Sequence, residues 1–274
     1  MDTNHPAPLP AHSPFAAGQP AIQACLIDLD GTLVDTLGDF EAALGDMLTA
    51  LGRAPVTRAQ IERIVGKGSE HLIRSVLDLT APPHAPADPA DPAARQALYD
   101  RAWPLYQAAY LRINGQFSTV YPGAVAGLQA LRARGLRLAC VTNKPIAFAR
   151  PLLAAKGLGG YFDQVFGGDS FARKKPDPLP LLEACRALGT APAQSLMVGD
   201  SSNDAAAARA AGCPVVLMTY GYNHGQAVST VDADGLADSL ALLAERLPAA
   251  APMPHAATGS AQAVASGDAS QANA

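Results

Sequence analysis

From Pro122 to Thr219 the chain repeats one pattern: helical spacing, a glycine, then a short apolar run. Leu128 and Leu131 precede Gly135 and the run LRLACVTN (136–143). Ile146 to Lys156 precede Gly157 and the shorter run DQVFGG (163–168). Leu179, Leu182, Cys185 and Leu188 precede Gly189 and SLMVGD (195–200). Asn203 to Ala211 precede Gly212 and CPVVLMT (213–219). Apolar runs without alternation belong to strands covered on both faces, and strands that alternate with helices make a parallel sheet. The pattern therefore predicts an α/β fold: a doubly wound, Rossmann-like parallel sheet. AIQACLID (21–28) supplies one more strand, at the start.

Between that first strand and Pro122 the rhythm is helical only. Leu37, Phe40, Leu44, Met47, Leu48 and Leu51 share one helical face. Thr57 and Gln60 form a capping box for a helix running to Val65. Ser69 is placed to cap another, with Leu72, Ile73, Val76 and Leu77 on one side. A Pro-rich loop covers 80–94, and a last helix through Tyr106, Tyr110 and Ile113 is expected to break at Trp103-Pro104. The expected organisation is an α/β core from 21–36 and 116–248, with a helical domain inserted at 37–115. Residues 1–20 and 249–274 lack periodicity and read as a disordered arm and tail.

The ends of the strands carry the polar residues. The first strand runs into Asp28-Leu-Asp30-Gly-Thr; in extended chain, residues i and i+2 point the same way. Two carboxylates aimed at one point repel unless a cation joins them, and a hard ion such as Mg²⁺ takes oxygen ligands of this kind. Asp200 ends a later strand and adds a third carboxylate, while Asp204, one turn on, supports the site from behind. Ligands of open α/β sheets bind outside the carboxyl ends of the strands, so these residues share one rim.

Taken in order, D-x-D-G-T at 28–32, Thr142, Lys175-Pro176 and G-D-x-x-x-D at 199–204 resemble the haloacid-dehalogenase-like (HAD) superfamily of hydrolases. The resemblance covers about residues 21–246 and implies a phosphatase with a helical C1-type cap inserted after the first motif. It makes Asp28 the nucleophile and Asp30 the acid that protonates the leaving group and later activates water. The metal would lie on Asp28, the Asp30 backbone carbonyl and Asp200. Thr142, Asn143 and Lys175 would hold the phosphoryl group, aided by N–H groups of the helix that opens near Pro145. Lys174 is expected to be solvated.

DLDGTLVDT, VTNKP, KKPDP, VGDSSNDAAAARAAGCP and YGYN are further similar to the phosphoglycolate phosphatase family. That resemblance implies a small phosphorylated substrate, 2-phosphoglycolate. It also implies a substrate contact from Lys67, in the cap segment Val65-Gly66-Lys67-Gly68. Gly66–Ser69 is not a P-loop, since the spaced glycine and the Lys-Ser/Thr pair are missing. His71 reads as a residue of the cap surface, and Gly221-Tyr222-Asn223 as part of the rim. A phosphatase for another sugar or amino-sugar phosphate, or a β-phosphoglucomutase-like phosphomutase, shares these motifs. A dehalogenase would not need Asp30, and a non-catalytic binding protein would not need all five strand-end groups.

A net charge of −4 argues against nucleic-acid partners. No apolar run approaches a membrane span. The four cysteines lack metal-ligand spacing and suit a reducing compartment. No Lys or Arg precedes Arg53, so no basic signal-peptide start is expected. Together these point to the cytoplasm.

Overall fold

A computed structural model of the protein describes residues 20–81 and 91–248. The expected arm and tail, and most of the Pro-rich loop, fall outside the described residues. The elements run β1 (Ala24–Ile27), β2 (Val34–Asp35), α1 (Leu37–Ala50), α2 (Arg58–Ile64), α3 (Ser69–Leu79), α4 (Pro92–Ile113) and β3 (Thr119–Val120). They continue as α5 (Ala124–Ala133), β4 (Arg137–Val141), α6 (Ile146–Ala155), β5 (Gln164–Phe166), α7 (Leu179–Leu188) and β6 (Ser195–Gly199). The last are α8 (Ser202–Ala211), β7 (Val215–Met218), β8 (Gly235–Ala237) and α9 (Leu240–Arg246).

The main sheet has the order β5-β4-β1-β6-β7-β8 and is parallel throughout. Successive connections step outward on one side of β1 and then on the other, so β1 is the topological switch point where such sheets bind ligands. In register, Ile27 lies beside Cys140 of β4 and Val198 of β6. The chain therefore leaves three neighbouring strands at the same height. Every residue of β1, β6 and β7 is buried, as a strand covered on both faces requires. One apolar cluster, with Leu128, Leu152 and Leu243, covers one face; another, with Leu181, Ala184 and Ala208, covers the other.

Helices α1 to α4 bury a cluster of their own, built on Leu44, Met47, Ile73, Tyr106 and Tyr110, which also takes in Phe148 and Tyr222 from the sheet side. Two strands not foreseen from the sequence, β2 and β3, pair antiparallel where the chain enters and leaves this helical unit. With two residues each they carry no periodicity to read. The short β8 and α9, which complete the sheet edge, are likewise not foreseen.

Three local expectations change. Pro104 lies inside a continuous α4 rather than ending it. Its ring denies a hydrogen bond to the Asp100 carbonyl, but that turn is exposed and water can serve it. The Thr57–Gln60 capping box forms as expected, whereas α3 is capped by Gly68 at φ +88° and Ser69 is its first helical residue. In α7 the buried face is Leu181, Ala184, Cys185 and Leu188, and Leu182 is 40% exposed.

Candidate active site

The strand ends deliver Asp28, Thr142 and Asp200 to one place, and all three side chains are buried. Lys175, arriving from the loop after β5, inserts beneath them. Its ammonium donates to the Val141 carbonyl at 2.7 Å and to Asp204 Oδ1 at 2.7 Å. It also lies 2.8 Å from Asp28 Oδ1. Asp204 is fixed at its other oxygen by the Ser201 hydroxyl at 2.7 Å and the Asp200 and Ser201 N–H groups. Both of its oxygens are thus committed, and it serves to hold Lys175 and the turn after β6.

Asp200 accepts from the Thr32 hydroxyl at 2.9 Å and from the Tyr222 N–H at 2.7 Å. Gly31 and Gly221, both at positive φ, press their backbones against its carboxylate so closely that a Cβ at either would collide with it. Asp28, Asp200 and Asp204 lie within 4.8 Å of one another. Burial raises the Asp28 pKa to about 6, partly offset by Lys175. Burial and the neighbouring Asp204 and Asp28 carboxylates push Asp200 up as well. For Lys175, burial opposes the charge, but Asp204 and Asp28 outweigh it and raise its pKa. Asp28 Oδ1 is buried against the Lys175 ammonium. Three crowded, desolvated carboxylates meet that one ammonium, and a hard divalent cation would supply the positive charge they lack. Asp28 and Asp200 fit as its ligands.

Asp28 and Asp30 line the same chamber but answer to different cations. Asp30 accepts from Lys144 Nζ at 2.9 and 3.2 Å. Lys144 escaped the sequence reading although it directly follows Thr142-Asn143. Its ammonium, 2% exposed, also donates to the Tyr110 hydroxyl at 2.6 Å. It sits 4.6 Å from the ring centres of both Phe40 and Tyr110, a cation–π arrangement. Thr142 Oγ1 accepts from the Lys144 N–H at 3.2 Å, which leaves its own hydrogen for a ligand. At the start of α6, where N–H donors are expected, Pro145 has none, Ile146 donates to Asp169 and Phe148 to the Pro145 carbonyl. Tyr222, foreseen only as rim, also donates its hydroxyl to Asp35 at 2.6 Å and accepts from the Thr36 N–H, tying Asp200 to the root of α1.

The helical unit closes the site through the turn at Gly66. The Gly66 carbonyl accepts from Asn143 at 3.0 Å and from Asn203 at 3.3 Å, and Asn143 also donates to the Lys175 carbonyl at 2.8 Å. Beneath the turn is a chamber of about 30 Å³, lined by Asp28, Asp30, Thr142 and Lys144 on one side and Phe40 and Ser69 on the other. Lys67 does not enter it. It lines a broad outer groove with His71, Lys174 and Asn203. Lys174, foreseen as solvated, is half-buried there, and His71 is likewise half-buried. Burial, then Lys67 and Lys174, lower the His71 pKa.

Among the described residues no helix is long and apolar enough to cross a membrane. The model of the haloacid dehalogenase-like hydrolases matches residues 22–212. The chain is 47% identical over 221 residues to the phosphoglycolate phosphatase of Nitrosospira multiformis, covering 80% of this chain and 92% of that one. It is 44% identical over 220 residues to the phosphoglycolate phosphatase of Thiobacillus denitrificans, covering 80% and 93%. A crystal structure of a predicted phosphoglycolate phosphatase from Haemophilus somnus superposes with a TM-score of 0.75 at 31% identity, covering 82% of this chain and 97% of that one.

Proposed function

Since the chain belongs to the haloacid dehalogenase-like hydrolases, we propose that it is a Mg²⁺-dependent phosphatase that hydrolyses 2-phosphoglycolate to glycolate and phosphate. The observation that carries this reading is the buried set of Asp28, Asp200, Asp204 and Lys175 at the switch point of the sheet. The relatives named for this activity match the chain over most of their length.

In this reading an Asp28 oxygen attacks phosphorus, the bond from phosphorus to the ester oxygen breaks, and an aspartyl-phosphate forms. Asp30 gives its proton to the departing glycolate oxygen, then takes one from the water that attacks the same phosphorus. That second attack frees phosphate and restores the Asp28 carboxylate. Lys175 and the Thr142 hydroxyl hold phosphoryl oxygens as charge moves onto them. Asn143, which lines the chamber beside Thr142, holds the lid turn at Gly66 and the Lys175 backbone together through its side-chain amide and stands next to the phosphoryl group. Mg²⁺ on Asp28 and Asp200 would offset the charge that builds up between the nucleophile and the phosphate. We place Lys67 at the mouth, where it meets the substrate on entry. Four buried, free cysteines accord with a reducing, cytoplasmic setting.

The relatives named phosphoglycolate phosphatase, matched over most of their length, favour 2-phosphoglycolate over a sugar phosphate or a phosphomutase substrate. The test is kcat/KM over a panel of 2-phosphoglycolate, glucose phosphates and amino-sugar phosphates, with and without Mg²⁺. A clear lead for 2-phosphoglycolate that EDTA abolishes is expected. A lead for a hexose phosphate would overturn the substrate, and no turnover of any ester would overturn the enzyme.

A further inference from the structure

We propose that Lys144 is the specificity-determining residue for the leaving group, and that it selects esters whose alcohol carries a carboxylate next to the ester oxygen. This deepens the phosphatase reading and rests on it.

Lys175 has three acceptors, all from the sheet side. Lys144 has one counter-ion, Asp30, and one neutral acceptor, Tyr110. Its three N–H groups are taken up by the two Asp30 oxygens and the Tyr110 hydroxyl, so an anion that reaches it must take the place of Asp30. Lys144 lines the chamber, and Phe40, whose ring it faces, lines it too. One turn before Tyr110, Tyr106 is fully buried and tilted against it, ring centres 5.5 Å apart. Asp30 is the one anion among the partners of Lys144.

The mechanism disturbs that pairing. As the acid, Asp30 must carry a proton, and a neutral carboxyl no longer serves as counter-ion to the buried ammonium, which is costly. An anionic group on the leaving alcohol replaces it, provided it lies close to the ester oxygen. In 2-phosphoglycolate a single methylene separates the two. A neutral alcohol offers no such exchange.

The test compares 2-phosphoglycolate with its neutral isostere, glycolamide 2-phosphate. Wild-type enzyme should prefer the carboxylate, and Lys144→Met should erase that preference, lowering kcat/KM for the carboxylate ester at least about tenfold further than for the isostere. Lys144→Arg should keep the preference. Lys144→Gln, which retains donors for Asp30 and Tyr110 without the charge, should lose it and stands in if the Met variant does not fold. Equal losses on both esters would overturn the proposal and leave Lys144 as a residue that only positions Asp30. Binding is read separately by calorimetry in the Asp28→Asn background, which needs no turnover. There the carboxylate ester should bind more tightly than the isostere, and the added Lys144→Met should erase the difference. If no ester is hydrolysed by the wild type, the phosphatase reading fails on its own, and an absent or Lys144-independent binding difference sinks this one.

Discussion

Two buried lysines divide the site, and their surroundings are unlike. Lys175 is held wholly by the sheet side: a β4 carbonyl, the carboxylate after β1 and the carboxylate of α8. Lys144 leaves the same sheet edge, but its ammonium is caged by Phe40 of α1 and Tyr110 of α4. The first lies against residues that any phosphate ester would meet. The second faces the part of the ester that differs between substrates. Bond-breaking is built into a rigid edge whose geometry the strand register fixes, while selection is shared with a helical unit that must move aside to admit the ester. A chamber of about 30 Å³ holds little more than a water, which needs roughly 10–15 Å³.

The sharpest way to break this division is to remove the nucleophile and leave everything else. Asp28→Asn keeps volume and the backbone N–H bond to Val198. It should lower kcat by about 10⁵-fold or more, as loss of a nucleophile does elsewhere, with unchanged circular dichroism. Single-turnover phosphate release measures it. A variant within tenfold of wild type would mean that the edge does not act through Asp28.

The same variant should be more stable than the wild type when metal is withheld, because the sheet edge stores electrostatic cost that the helical unit does not. Asp28 titrates at about 6 in the fold against 3.8 ordinarily. A raised carboxylate pKa means that the folded state holds the proton more tightly. The Asp28 contribution to stability is therefore fully present below pH 3.8, falls as pH rises through this window, and is lost above about 6. The span amounts to about 3 kcal/mol at full effect. In EDTA at pH 8, Asp28→Asn should raise the melting temperature by several degrees, and at pH 4.5 by much less. Saturating Mg²⁺ at pH 8 should close the gap by stabilising the wild type. Equal melting of the two proteins in EDTA at pH 8 would remove the strain from this edge.

The contrast between the two lysines also explains what the sequence could tell. Lys175, nine residues past β5, is marked only by the family's Lys-Pro pattern, whereas Asp28, Thr142 and Asp200 each sit at or just beyond the end of an apolar run, so their position in the strand pattern places them at one rim. Lys144 sits in the same kind of place, but what makes it notable lies far off in the chain. Its cage comes from Phe40 and Tyr110, whose apolar spacing reads only as helix core. Tyr222 is similar: its N–H reaches Asp200, and its hydroxyl reaches Asp35, from a loop whose residues show no period. Lys67, a glycine-flanked lysine expected to contact substrate, lines the outer groove rather than the chamber, while the Gly66 carbonyl accepts from Asn143 and Asn203. Pro104 shows that a breaker in a helix pattern costs little where the abandoned carbonyl meets water.

The smallest effect concerns how the helical unit is held down. Asn143 and Asn203 both donate to the Gly66 carbonyl, but only Asn143 also anchors the Lys175 backbone. Removing Asn203 deletes one long bond of 3.3 Å and spares the chemistry. A neutral hydrogen bond of this kind contributes on the order of 1 kcal/mol, so Asn203→Ala should raise KM for 2-phosphoglycolate roughly two- to sixfold. The rate at saturation should hold or rise slightly, because release is eased when closure is weaker. Asn203 also contacts His224 at 3.2 Å, and that pairing stays within the sheet side. Asn203→Asp is the control: it keeps the shape but sets an acceptor against the Gly66 carbonyl, and its KM should rise further than that of the alanine variant. If instead kcat falls while KM holds, the Gly66 turn is part of the reacting geometry, and the separation between an edge that breaks bonds and a lid that chooses substrates does not hold.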